Sequence, residues 1–195
     1  MADDIKSIAY TFDLVCDRKR VLQACFNAFL FGGFLGSLYY GEVIERKGRR
    51  WGTIESTLMM VVGLFVSLLA GNITLFSLGV FLFNAGFRGF YNASLLSLSE
   101  VMNETARAST PMVLAIGWAL GQIIIAFLCI WITSWRVMFF YTVIPLSILA
   151  YYVHKYTLES PRFLTVKHQF DEAKKVIEQI AIINSNPIGQ YALRE

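Results

Sequence analysis

The sequence predicts an all-α membrane protein in which five helices cross a bilayer. Of its 195 residues, 56% are hydrophobic and 16% are charged, whereas a soluble domain carries about 25% charged residues. The apolar residues are concentrated in five blocks, and each block supplies the ~20 residues that a helix needs to cross a hydrocarbon layer ~30 Å thick. A helix satisfies its backbone polar groups internally, so it is the expected spanning element.

The chain divides into three predicted regions. Residues 1–20 form an outer polar segment, residues 21–156 a five-helix transmembrane domain, and residues 157–195 an inner linker. The five spans are predicted at about 21–41, 51–70, 73–98, 111–132 and 135–153.

A basic loop at residues 41–50 orients these spans. Four of its ten residues are cationic, namely Arg46, Lys47, Arg49 and Arg50. Short cation-rich loops stay on the cytoplasmic side of a membrane, and with this loop inside, eleven Lys and Arg residues lie in inner segments against five in outer ones. A cationic cluster at 18–20 argues mildly against this orientation. The chain is therefore predicted to begin outside and to end inside.

The first and fourth spans each carry a pair of glycines one helical turn apart. The pairs are Gly32 with Gly36 and Gly117 with Gly121. Small residues at this spacing let another helix approach closely, so both pairs are predicted helix-packing sites.

The third span contains Arg88, the one charge that lies deep in a predicted span. Inserting an arginine at the centre of a membrane helix costs roughly 2.5–3.5 kcal/mol, so its side chain should face protein or a wet cavity. The functional interpretation is a charge in the path of a solute, with Asn84, Tyr91 and Gln122 as polar neighbours. The alternative is a structural arginine that reaches the interface or pairs with a neighbouring chain.

The fifth span and the inner linker complete the predicted elements. Trp135 lies at the outer end of the fifth span, where interfacial aromatic residues settle, and Pro145 is tolerated in a membrane helix. An amphipathic helix is predicted over 169–183, because apolar residues recur there at helical spacing while charged residues face water.

The sequence holds no Ser/His/Asp arrangement, phosphate-binding loop or metal-ligand cluster. It therefore indicates neither an enzyme nor a cofactor or metal site. Its basic residues orient helices, and no nucleic-acid partner is expected.

Several motifs, in order along the chain, resemble those of the major facilitator superfamily. Residues 41–50, G-E-V-I-E-R-K-G-R-R, are similar to the loop motif G-x-x-x-D-R-x-G-R-R of these transporters, with Glu45 in place of the usual aspartate. Residues 13–17 resemble the D-L-V-C segment of the organic cation, carnitine and organic anion transporter branch. Residues 159–162 resemble its P-E-S-P-R-W-L element, in which Phe163 replaces the tryptophan.

The resemblance implies part of the N-terminal half of a major facilitator fold, namely its second to sixth helices followed by a cytoplasmic amphipathic helix. It also implies an inner-face gating network, whose ion pairs form in one conformer only and so bias a two-state equilibrium. The implied members are Gly41, Glu45, Arg46, Gly48, Arg49, Arg50, Glu100, Arg107, Glu159 and Arg162. The two glycines are expected where the backbone turns sharply. For Glu100 and Arg107, an ordinary solvated loop is the alternative.

The family's first helix and its second half have no counterpart in this sequence, so the chain is not expected to transport alone. One hypothesis is a part of a carrier for small organic cations or anions, in which other membrane protein chains supply a helix against Gly32 and Gly36 and six further helices. The other is a transporter-derived accessory subunit of a larger membrane complex. Expected partners are the lipid bilayer, those further chains and a small organic ion. The plasma membrane is the default location, and the mitochondrial inner membrane is the alternative.

Overall fold

The computed structural model describes residues 7–14, 19–102 and 107–183. The rest of the predicted outer segment and the end of the predicted inner linker lie outside the described residues. The helices are α1 (Ile8–Thr11), α2 (Lys19–Lys47), α3 (Arg49–Leu68), α4 (Ile73–Val101), α5 (Thr110–Trp131), α6 (Trp135–Tyr156), α7 (Pro161–Val166) and α8 (Phe170–Ile183).

Five of these helices, α2 to α6, are long and apolar enough to cross a membrane. The predicted fold class is therefore confirmed, and the chain is an integral, multi-pass membrane protein. The amphipathic helix predicted over 169–183 corresponds to α8, and each predicted span corresponds to one helix. The helices α2, α4 and α6 extend beyond the predicted spans because polar residues continue the helical backbone past the apolar blocks.

The predicted basic loop at 41–50 is almost entirely helical. α2 continues to Lys47 and α3 begins at Arg49, so Gly48 alone separates them, with a φ of 104° that favours glycine. Arg46 and Lys47 occupy the last turn of α2, where cations offset the partial negative charge of a helix C-terminus. The sharp turn expected at both glycines occurs only at Gly48. Gly41 lies inside α2, and a Cβ atom built there meets no atom of another element within 4 Å.

The most extensive packing among the described helices joins α3 to α4. A Cβ built on Gly86 would lie 2.6 Å from the Ser56 carbonyl oxygen and 2.7 Å from the Met60 backbone nitrogen. Likewise, a Cβ on Gly63 of α3 would collide with the α4 backbone. The hydroxyl of buried Ser67 donates to the Gly63 carbonyl at 2.9 Å, so this polar side chain is satisfied within its own helix. The two backbones approach this closely because both facing surfaces are built from small residues.

Gly32 and Gly36 pack against α4 of the same chain. A Cβ on Gly32 would collide with the backbone of Phe81, and one on Gly36 with the backbone of Ala85. The helix that packs against this pair is therefore α4 of the same chain, where the sequence indicated a helix from another chain. The reason is that α4 follows α2 over its length and fills this groove itself.

The helix α5 lies at the periphery. Its contacts among the described elements are mainly with α4, and of its residues only Thr110 is buried. No atom of another described element lies within 4 Å of a Cβ built on Gly117 or Gly121, so this second glycine pair has no packing partner in the described part of the chain.

The outer ends of α4 and α6 meet the short helix α1 at an aromatic cluster. Its rings are those of Phe12, Phe76, Trp135 and Phe139. The Trp135 indole N–H donates to the Thr11 hydroxyl at 2.9 Å, and only 8% of this residue is exposed. Trp135 thus begins α6, at the end that the sequence predicts to face outward, but it is buried under α1 and is not exposed as an interfacial residue would be.

Candidate functional site

The inner corner between α2 and α3 is held by one carboxylate. Glu159, which lies between α6 and α7, accepts hydrogen bonds from the backbone N–H groups of Arg49 at 2.8 Å, Arg50 at 3.3 Å and Ser160 at 3.0 Å. A carboxylate is stabilised there because the first N–H groups of a helix lack partners within the helix and carry partial positive charge. A Cβ on Gly48 would collide with this carboxylate, so the corner requires glycine for space as well as for its φ.

Arg49 also forms the most buried ion pair of the described residues. Its Nη2 lies 2.6 Å from Glu100 Oε1, and its Nε lies 3.1 Å and 3.2 Å from the two carboxylate oxygens. The side chains are 15% and 7% exposed. The guanidinium carbon lies 4.9 Å from the centre of the Phe163 ring, which adds a cation–π contact.

These contacts link the start of α3 to the end of α4 and to the segment before α7. We call the group the inner-face network, and its members are Arg49, Glu100, Glu159 and Phe163. Charge-assisted, two-point pairing of this kind fixes orientation as well as supplying energy.

Other predicted members of the gate lie outside this network. Glu45 and Arg162 line a small cavity of about 240 Å³ beside it, and neither forms an ion pair within 4 Å among the described residues. Arg46 pairs instead with Glu42 on the exposed surface of α2. The Nε of Arg107 donates to the Ser99 carbonyl at 2.9 Å, so this arginine reaches the end of α4 without joining the network.

Sequence reasoning missed the contribution of Phe163 and Ser160. Ser160 is the N-cap of α7, where its hydroxyl accepts from the Phe163 N–H at 3.4 Å, and Pro161 follows at the first helical position. A serine followed by proline is a helix-start signal that could have placed α7 here. The position of α7 is what brings the Phe163 ring to Arg49.

A pocket between α4 and α5 contains two of the predicted solute-path residues. Its volume is about 560 Å³, and Arg88 and Tyr91 line it together with Phe87 and Trp118, whose ring centres are 5.1 Å apart. We call it the α4–α5 pocket. Among the described residues Arg88 has no acidic partner within 4 Å, so its guanidinium is available to a ligand on this wall.

The other two predicted solute-path residues lie elsewhere. Asn84 is 4% exposed, and its side-chain amide donates to the Phe29 carbonyl of α2 at 2.7 Å. It therefore links two helices and does not line the pocket. Gln122 is exposed on α5 and is not among the residues that line the pocket.

Known proteins resemble this chain over most of its length. The family model Sugar (and other) transporter matches residues 9–188. Solute carrier family 22 member 13 of Homo sapiens is 24% identical over 191 residues, which are 98% of this chain and 34% of that protein. Organic cation transporter 1 of Caenorhabditis elegans is 24% identical over 182 residues, 92% of this chain and 31% of that protein.

A similar fold is found among solved structures. The xylose transporter XylE from E. coli, in a partially occluded inward-open conformation, superposes with a TM-score of 0.71 at 19% identity, covering 82% of this chain and 44% of that one. The chain spans about a third of the length of the curated relatives named above.

Proposed function

Because the chain belongs to the Sugar (and other) transporter family, within the major facilitator superfamily, we propose that it forms part of a membrane carrier for small organic solutes. One relative is named a member of solute carrier family 22 and another an organic cation transporter. Together with the motif resemblance, these names support small organic cations or anions as the solute class. The alternative of an accessory structural subunit receives no support from these relatives.

The observation that carries the proposal is the inner-face network. Carriers of this kind expose a central site to one side of the membrane at a time, and contacts made in only one conformer set the balance between the two. The pairing of Arg49 with Glu100 and the capping of α3 by Glu159 join three segments at the inner surface. Separating these segments requires both contacts to break, so the network acts as the inner gate.

The α4–α5 pocket is the proposed wall of the solute path. Arg88 supplies a positive charge on a membrane helix, and Phe87, Tyr91 and Trp118 supply an apolar and aromatic surface around it. A few polar groups in a mainly apolar cavity are typical of small-molecule sites. In the proposed carrier, further helices would close this pocket.

The plasma membrane is the proposed location, as for the family in general, with the mitochondrial inner membrane as the alternative. Cell fractionation and surface labelling of the tagged chain distinguish the two.

An uptake experiment tests the function. The chain is captured in detergent from its native membrane with everything bound to it, reconstituted into proteoliposomes, and offered radiolabelled organic cations and anions of matched size. We expect saturable uptake of at least one solute. Arg88→Gln should raise the KM for an anionic solute about tenfold, since one lost charge-assisted contact is worth about 1.4 kcal/mol.

The matched control is Arg20→Gln, which removes an exposed arginine at the outer end of α2. It should leave the KM unchanged. Failure of every solute to accumulate above the level in empty liposomes, with the complex still helical and monodisperse, would contradict the carrier function.

A further inference from the structure

A further pocket lies at the corner between the start of α3 and the amphipathic helix α8. Its volume is about 490 Å³. We call it the corner pocket, and its charged and interfacial lining residues are Lys47, Arg50, Trp51, Glu159, Glu172 and Lys175. It borders the cavity beside Glu45 and Arg162, with which it shares Phe163, and it shares no lining residue with the α4–α5 pocket. The side chains of its three cations take no part in the inner-face network.

The charge of the corner pocket favours an anion. Arg50 and Lys175 have no acidic partner within 4 Å among the described residues, and Lys47 lies 3.6 Å from Glu55. The carboxylate of Glu159 already accepts three backbone N–H groups at the end of α3. Because Lys47 already pairs with Glu55, two unpaired cations, Arg50 and Lys175, oppose Glu172, the one acid of the lining that lacks such hydrogen-bond partners.

The corner pocket also adjoins an exposed apolar face of α3, because Trp51 belongs to both. Trp51, in the first turn of α3, is 59% exposed, and tryptophan is enriched at the level of lipid headgroups. Leu58, Val62 and Phe65 are exposed as well, and their spacing from Trp51 places them along one face of the helix. An apolar strip therefore runs from the pocket into the membrane.

We propose that the corner pocket binds the headgroup of an anionic phospholipid, with an acyl chain of the lipid lying along the exposed face of α3. The phosphate contacts Arg50, whose planar guanidinium suits phosphate oxygens, and the ammonium groups of Lys47 and Lys175. Because these cations come from the α2–α3 corner and from α8, the bound lipid bridges the gate region and the amphipathic helix.

Brominated lipids test this site through the fluorescence of Trp51. The purified chain is placed in nanodiscs that contain either brominated phosphatidylserine or brominated phosphatidylcholine. The chain has four tryptophans, so the signal of the Trp51→Phe variant is subtracted to isolate Trp51. We expect phosphatidylserine to quench at a several-fold lower mole fraction than phosphatidylcholine.

Neighbouring lysines provide the matched pair of variants. Each cation near an anionic surface contributes about a fivefold preference, so Lys175→Gln should lower the preference for phosphatidylserine about fivefold. Lys174→Gln removes the same charge from the preceding residue, which does not line the pocket, and should have no such effect. Glu172→Gln should raise the preference.

Three results would overturn the proposal. One is equal quenching of Trp51 by the two lipids. Another is an equal loss of the preference for phosphatidylserine in Lys175→Gln and Lys174→Gln, which would indicate attraction to the general surface charge. The third is full displacement of the lipid by millimolar inorganic phosphate, which would assign the pocket to a soluble anion. Circular dichroism of each variant establishes that its helices are intact.

Discussion

Among the cations of residues 46–50, Arg49 contacts the largest number of other segments of the chain. Its side chain pairs with Glu100, its backbone N–H binds Glu159, and its guanidinium covers Phe163. The ion pair is largely shielded from water, so it should be far stronger than a surface pair. Arg46, three residues earlier, pairs with Glu42 at the same distance of 2.6 Å, but those side chains are 77% and 60% exposed.

A double-mutant cycle measures this difference. Unfolding of Arg49→Gln, Glu100→Gln and the double variant by denaturant in detergent should give a coupling free energy of about 2 kcal/mol, since neither charge finds a substitute partner once the other is removed. The same cycle on Arg46 and Glu42 should give about 0.5 kcal/mol or less. Equal couplings in the two cycles would show that burial of Arg49 and Glu100 has no energetic consequence.

The sequence could indicate which charges belong to the gate but not how they pair. Of the four cations within residues 46–50, the motif resemblance included Arg46, Arg49 and Arg50, and the sequence does not show which of these three forms an ion pair. The positive φ of Gly48 decides the outcome, because it turns Arg49 toward Glu100 and leaves Arg50 facing outward. The sequence also predicted Asn84 as a polar neighbour of Arg88. In the structure, the Asn84 amide donates instead to a carbonyl of α2 that lies 55 residues away in the chain.

At the scale of the elements, α2, α3 and α4 form the packed centre, and glycines set the distances between them. The pair Gly32 and Gly36 could be identified from its four-residue spacing. Gly79, Gly86 and Gly89 of α4 could not, because their spacings of seven and three residues do not stand out in an apolar sequence. Each nevertheless lies against atoms of α2 or α3.

Two alanine substitutions should therefore have opposite effects. Gly86→Ala places a methyl group 2.6 Å from the Ser56 carbonyl oxygen and should destabilise the chain by about 1–3 kcal/mol through overpacking. Gly121→Ala meets no described neighbour and should stabilise α5 by up to about 1 kcal/mol, since alanine favours a helix over glycine. Thermal unfolding in detergent measures both. A loss of stability in both variants would mean that α5 also packs closely in solution.

For the molecule as a whole, the five-span architecture could be predicted because each apolar block supplies the roughly 20 residues that a helix needs to cross the hydrocarbon layer. The surroundings of α5 could not be predicted. Its glycine pair has the same spacing as that of α2 but faces no described helix, and periodicity alone does not distinguish a packed face from an open one. The orientation in the membrane follows from the cation count and stays a prediction.

Cysteine labelling tests that orientation. In a variant without the three native cysteines, Thr133→Cys introduces a single cysteine between α5 and α6. In a second such variant, Lys174→Cys introduces one on α8. In intact cells, a membrane-impermeant maleimide should label the first from outside and reach the second only after permeabilisation, because cation-rich segments remain inside. The reverse pattern would invert the topology and place the inner-face network on the outer surface.

The one-residue joint at Gly48 has a mechanical consequence. Helices of 29 and 20 residues are joined there by a single residue, and Glu159 accepts a hydrogen bond from the first residue of the second helix. A displacement of the segment that carries Glu159 therefore acts on α3 at one end of the helix, where it tilts the helix most effectively. The single-residue connection to α2 is too short to absorb that movement.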